Sequence, residues 1–183
     1  MRFAPLSVAF AVLVFALAPG KAAAQDSSSA ASASAQRYFL DFRARPTPFP
    51  TGHTYFVYWI QDSTGSVVEI HFGGLHPVGG PSVWSLGVLL PVPATEHSPR
   101  EDKLHRPHAV YRVELSEGQF AFLKRRVATL RRKHPLWHGL TINCNAFAGE
   151  VAQSLGMRVP HHLLMPNLFV ATLRALNQRR FRS

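Results

Sequence analysis

With 183 residues, 46% of them hydrophobic, the chain has enough length for one self-sufficient core but too little for several. Its 20 Lys and Arg outnumber 10 Asp and Glu for a formal charge of +10, which directs it toward anionic partners such as acidic glycans, lipid headgroups or other polyanions. A single cysteine, Cys144, excludes a disulfide framework within the chain.

The chain opens with the pattern of an export signal. Arg2 gives a positive start, Ala9–Leu17 is an apolar run too short to span a bilayer comfortably, and Pro19-Gly20 breaks it. Ala22-Ala23-Ala24 offers a small-residue cleavage site, so residues 1–24 are expected to be removed and the mature chain to be periplasmic or secreted. No cysteine follows the run to carry a lipid. Taking 24 residues from 183 leaves 159, and with Arg2 and Lys21 gone the formal charge is +8. Export also argues against nucleic acid as partner. Residues 25–37 are Ser/Ala-rich and read as a flexible linker, which leaves 38–183 as a single domain.

Tyr38–Arg43 is a short strand candidate, and Arg45–Gly52 is too rich in proline for regular structure. His53–Ile60 is aromatic, β-branched and almost continuously apolar, as a strand buried on both faces would be. The Asp62-Ser63-Thr64-Gly65 turn returns into Ser66–Phe72, an alternating strand, so the two make a β-hairpin. The glycine pairs at 73–74 and 79–80 lack phosphate-binding spacing, and no nucleotide or other cofactor is expected. Val83–Val92 reads as a further strand, Pro93–Pro107 as a polar loop, and Ala109–Leu115 again as an alternating strand.

Ser116–Gln119 has capping-box spacing ahead of a helix to about Lys133, with Phe120, Leu123, Val127 and Leu130 on one face and basic residues on the other. Asn143 caps the next helix. On it Cys144, Phe147, Ala148, Val151 and Leu155 share the core side, and Gly156 is the stop. A last helix runs from about Pro166 to Asn177.

Cys144 thus stands at a helix start, where unpaired amides favour a thiolate. A thiol that attacks a carbonyl needs a base, and His53 is favoured, since it opens the central strand directly after Thr51-Gly52. His71 is the candidate for a third member, orienting the imidazole. If the turn pairs Asp62 with Ser66, however, His71 lies opposite Val57 and His53 opposite Leu75, on one face but about 13 Å apart. His138, in Trp137-His138-Gly139-Leu140, is an alternative base or part of a loop wall. The remaining histidines match no zinc spacing, and no metal site is expected.

At these residues the chain resembles the circularly permuted papain-like superfamily, in which the histidine precedes the cysteine. Its members include the PPPDE isopeptidases, lecithin:retinol acyltransferase-like enzymes and bacterial relatives of NlpC-type cell-wall peptidases. The resemblance rests on Gly52-His53-Thr54, on Glu69–Leu75, and on Asn143-Cys144-Asn145-Ala146-Phe147 followed by Leu155-Gly156 and Pro160. Ala146 stands where relatives carry histidine, and residues 76–108 have no counterpart. The resemblance implies an α+β fold, an antiparallel sheet packed on the Cys-bearing helix. It implies Cys144 as nucleophile, His53 as base and His71 as third polar group.

The function expected is a cysteine-dependent hydrolase or acyltransferase acting on an amide, ester or thioester in the cell envelope, whether in peptidoglycan, lipid or protein, with peripheral contact to a membrane surface possible. The alternative is a non-catalytic envelope domain of the same fold that docks an anionic partner through its basic helix faces.

Overall fold

The computed structural model describes residues 36–47, 52–95 and 100–181, within a compact unit spanning Ser34–Ser183. The expected signal peptide, nearly all of the Ser/Ala-rich linker and part of the proline-rich approach to His53 lie outside the described residues. Twelve elements follow in chain order: β1 (Arg37–Arg45), β2 (His53–Gln61), β3 (Val67–Gly73), β4 (His76–Pro77), α1 (Pro81–Leu89), β5 (Val92–Thr95), α2 (Arg100–Leu104), β6 (Ala109–Leu115), α3 (Glu117–Lys133), β7 (Leu136–Trp137), α4 (Cys144–Ser154) and α5 (Pro166–Asn177). The class is α+β, with antiparallel sheets. No helix among the described residues is long and apolar enough to cross a membrane.

The principal sheet has the order β3-β2-β1-β6, and α3, α4 and α5 pack on one face. Alternation decides which side chains meet them. Leu40, Phe42 and Ala44 of β1 and Phe56 and Tyr58 of β2 join Leu123, Val127, Leu130, Phe147, Val151, Phe169 and Leu173 in the main core. The intervening residues Phe39, Tyr55, Val57 and Trp59 form a second buried cluster on the opposite face. This explains the continuous apolar run in β2, which is buried from His53 to Trp59. Phe56 and Phe147 stack at 6.0 Å between centroids and lock α4 onto the sheet.

Local chemistry sets the helix ends. Ser116 and Gln119 complete the capping box of α3, and the Asn143 side chain accepts from the Ala146 amide to cap α4. At the far end of α4 the amides of Gly156 and Met157 return to Gln153 and Ala152 carbonyls. Gly156 takes φ +78, the left-handed geometry such a stop requires.

Two segments differ from the sequence expectation. Val83–Val92 is not a strand: Pro81 starts helix α1, and only Val92–Thr95 is extended. Its apolar residues carry no helical stripe because much of α1 is exposed, with Leu86, Val88 and Leu89 on its surface. The polar loop from Pro93 to Pro107 likewise contains β5 and the short α2. With β4 and β7, β5 makes a small three-stranded sheet beside the first.

Candidate active site

The site is built where β3 leaves β2. Their pairing starts at Phe56 with Gly73, so His53, Thr54 and Tyr55 have no partner on that side. Gly52 turns the chain into β2 with φ +74, and a Cβ there would lie 3.0 Å from the Arg45 carbonyl oxygen. The start of α4 packs on β2 at this level. Thr54 Oγ1 donates to Asn145 Oδ1 at 2.6 Å, and the Thr54 amide, directly after His53, donates toward the Cys144 sulfur.

The two asparagines flanking Cys144 clamp the surrounding loops. Asn145 is buried and donates through Nδ2 to the carbonyls of His162 (3.0 Å) and Leu164 (2.7 Å). Asn143 Nδ2 donates to the Gly139 carbonyl at 2.8 Å. These bonds hold two walls of a cleft of about 330 Å³ that Cys144 helps to line, together with apolar groups such as Val88, Trp137, Leu140, Leu163 and Met165. Helix α1 closes against Trp137 through Gly87, where a Cβ would meet the indole at 2.6 Å.

Behind His53 lies a buried group of charges. Asp102 of α2 accepts from Arg45 Nε on Oδ1 at 2.5 Å. Its Oδ2 faces two imidazoles, His76 Nε2 at 3.2 Å and His53 Nε2 at 3.7 Å, and the two rings stand 4.0 Å apart. Burial opposes ionisation of Asp102, but His76, His53 and Arg45 outweigh it and hold its pKa at about 2. His53 titrates well below the ordinary histidine value, first because it is buried and second because of His76 beside it, with Asp102 opposing. The imidazole is therefore neutral at neutral pH and able to accept a proton.

The thiol differs from the expectation. Burial pushes Cys144 above the ordinary thiol value, although amides of Thr54, Asn145 and Cys144 itself pull it down. The helix terminus is present as expected, but desolvation is the larger effect, so the resting sulfur is a thiol, as the resting imidazole of His53 is neutral.

Of the three residues expected to act together, the fold sets His53 one residue before Thr54, whose hydroxyl bonds Asn145 next to Cys144, and leaves His71 elsewhere. The hairpin begins in the expected register, Gln61 opposite Val67, but a bulge then shifts it and sets His71 opposite Tyr58. That is five strand positions from His53, about 16 Å, and on the opposite face. There His71 stacks on Tyr58 at 4.8 Å and bonds Glu69, which in turn pairs with Lys124 of α3. His138 lies in the turn before Cys144, its Nδ1 accepting from the Leu140 amide at 3.3 Å, beside Trp137 as a loop wall.

The sequence reading missed Asp102 and His76. Each lies in a proline-rich segment without periodicity, and their meeting depends on α2 packing back under β2, which no local spacing encodes. The same holds for metal-ligand spacing: none exists along the chain, yet ligand atoms of His53, His76 and Asp102 lie within 4.8 Å of one another. In comparisons with known proteins, no family model, curated protein or solved structure matches the chain.

Proposed function

We propose that the chain is an exported cysteine hydrolase or acyltransferase with a permuted papain-like arrangement, in which Cys144 is the nucleophile and His53 the base. The observation that carries the reading is the junction of β2 and α4. One amide step past a buried, neutral histidine, a peptide N–H is aimed at the sulfur of a helix-starting cysteine that helps to line a cleft.

Nε2 of His53 faces Asp102, which leaves Nδ1 to take the thiol proton. The sulfur then adds to a substrate carbonyl in the cleft. The Cys144 amide at the helix start stabilises the oxyanion, because it has no intrahelical partner. The imidazolium returns its proton to the departing amine, alcohol or thiol, leaving an acyl-enzyme that water or a second acceptor resolves. Asp102 stabilises the transient imidazolium and is a positioning residue, taking the place assigned in sequence to His71. The apolar lining favours an acyl group with an apolar portion, in an envelope amide, ester or thioester. No cofactor takes part in these steps.

Incubation with a p-nitrophenyl ester tests this. The reading expects a burst of nitrophenol and a mass gain of one acyl group at Cys144. Both vanish in Cys144→Ala, and His53→Ala slows the burst by about 100-fold or more. Acylation elsewhere, or turnover that survives Cys144→Ala, contradicts it. The rival reading, a non-catalytic domain docking an anionic polymer, rests on the exposed Arg125, Arg131 and Arg132 of α3. It expects partner binding to fall in Arg131/Arg132 variants and to be indifferent to Cys144.

A further inference from the structure

The buried group behind the thiol contains more ligand atoms than the acyl-transfer mechanism uses. His53 and His76 are 5% and 2% exposed, and apart from the ion-pair approach to Asp102, His53 Nε2 and both ring nitrogens of His76 have no aligned hydrogen-bond partner among the described residues. Buried ring nitrogens left in this state cost free energy unless something binds them. His53 Nε2 and His76 Nε2 converge on one carboxylate oxygen, Asp102 Oδ2, at 3.7 and 3.2 Å. Donors around a tetrahedral cation with bonds of about 2.1 Å stand about 3.4 Å from one another.

Two further features suit a cation. Arg45 binds Oδ1 of Asp102 and so fixes the carboxylate with Oδ2 turned to the histidines, as a single-oxygen ligand requires. Gly74 borders the same space: a Cβ there would lie 3.2 Å from His53 Nε2 and 3.3 Å from His76 Nε2, so a side chain at this position would intrude on the ligands. Two imidazoles and a carboxylate are the ligands of zinc and its neighbours, not of the oxygen-seeking Mg²⁺ or Ca²⁺. The guanidinium of Arg45 repels a cation and makes the site weaker than the same ligands alone.

We propose that His53 Nε2, His76 Nε2 and Asp102 Oδ2 form a three-ligand site for a zinc-class divalent cation, and that its occupancy withdraws His53 from Cys144. The binding goes beyond the acyl-transfer reading, whereas the silencing of the thiol rests on it. Zinc would then act as a reversible inhibitor that enters behind the nucleophile and leaves the cleft itself open.

The test titrates the folded chain with Zn²⁺ against a chromophoric chelator and, in parallel, follows alkylation of Cys144 by iodoacetamide. One zinc per chain is expected. His76→Gln and Asp102→Asn should each weaken it at least about ten-fold, while Cys144→Ala and His71→Ala leave it unchanged. Asp102 is enclosed and its variant could fail to fold, so His76→Gln and Gly74→Ala, each verified by circular dichroism, decide the matter. Affinity unchanged in His76→Gln, or lost in Cys144→Ala, overturns the site. Zinc should slow alkylation in the native chain and not in His76→Gln. Alkylation indifferent to bound zinc overturns the silencing and leaves the site standing. If alkylation proves independent of His53 while zinc still binds through His76, the acyl-transfer reading falls and the metal site survives.

Discussion

At the scale of single residues, Asn145 shows how much of the site depends on one amide. Its oxygen receives the Thr54 hydroxyl and its nitrogen serves two loop carbonyls, so a single side chain joins β2, α4 and the 162–164 wall. Asn145→Ala leaves these groups buried without partners. It should lower unfolding stability by about 2 kcal/mol in urea titration, and an unchanged midpoint would refute the clamp. The Asn-Cys-Asn motif and the capping by Asn143 were visible in sequence, but the duties of Asn145 were not, because its partners lie 17 to 91 residues away.

His53 and Asp102 make the fold acid-sensitive at two stages. An unfolded histidine takes up protons below about pH 6.5, whereas the buried His53 resists them. The stability it contributes is therefore complete above that pH and drains as pH falls. Asp102, depressed from 3.8 to about 2, contributes about 2 kcal/mol that is present above its unfolded value and lost on acidification through about pH 2. Urea midpoints should fall between about pH 7.5 and pH 5 in the native chain, and fall less in His53→Gln. Equal slopes would contradict the assignment.

At the scale of elements, β6, α3 and α5 were legible nearly to the residue, because each carries strong periodicity and its own start signals. The β2–β3 hairpin was legible as a hairpin but not in register. One extra residue in the bulge flips every side chain beyond it, which is why His71 faces Tyr58 and α3 instead of the site. The departure of β3 is itself built on glycine. A Cβ on Gly73 would stand 2.5 Å from the Phe56 ring, whose stacking on Phe147 seats α4. Gly73→Ala should therefore cost about 1–3 kcal/mol and disturb Cys144 reactivity as well, whereas Gly65→Ala, with open space around its Cβ, should leave reactivity untouched. Equal effects on reactivity would dissociate the hairpin from the site.

Across the whole molecule, the α+β class, the strand that opens at His53 and the helix that starts at Cys144 were written in local patterns. The charged group beneath them was not. It draws Arg45 from β1, His53 from β2, His76 from β4 and Asp102 from α2, and only the assembled fold brings those four together. The same assembly raises the pKa of the half-buried Cys144, where the sequence reading expected a thiolate. The pH profile of Cys144 alkylation, with a chelator present, tests this most directly. If His53 is the base, the native chain should react at neutral pH at least about ten-fold faster than His53→Gln, and the two should converge at alkaline pH, where the thiol ionises unaided. Superposable profiles across the whole range would contradict the assignment of His53 and Cys144 as a working pair.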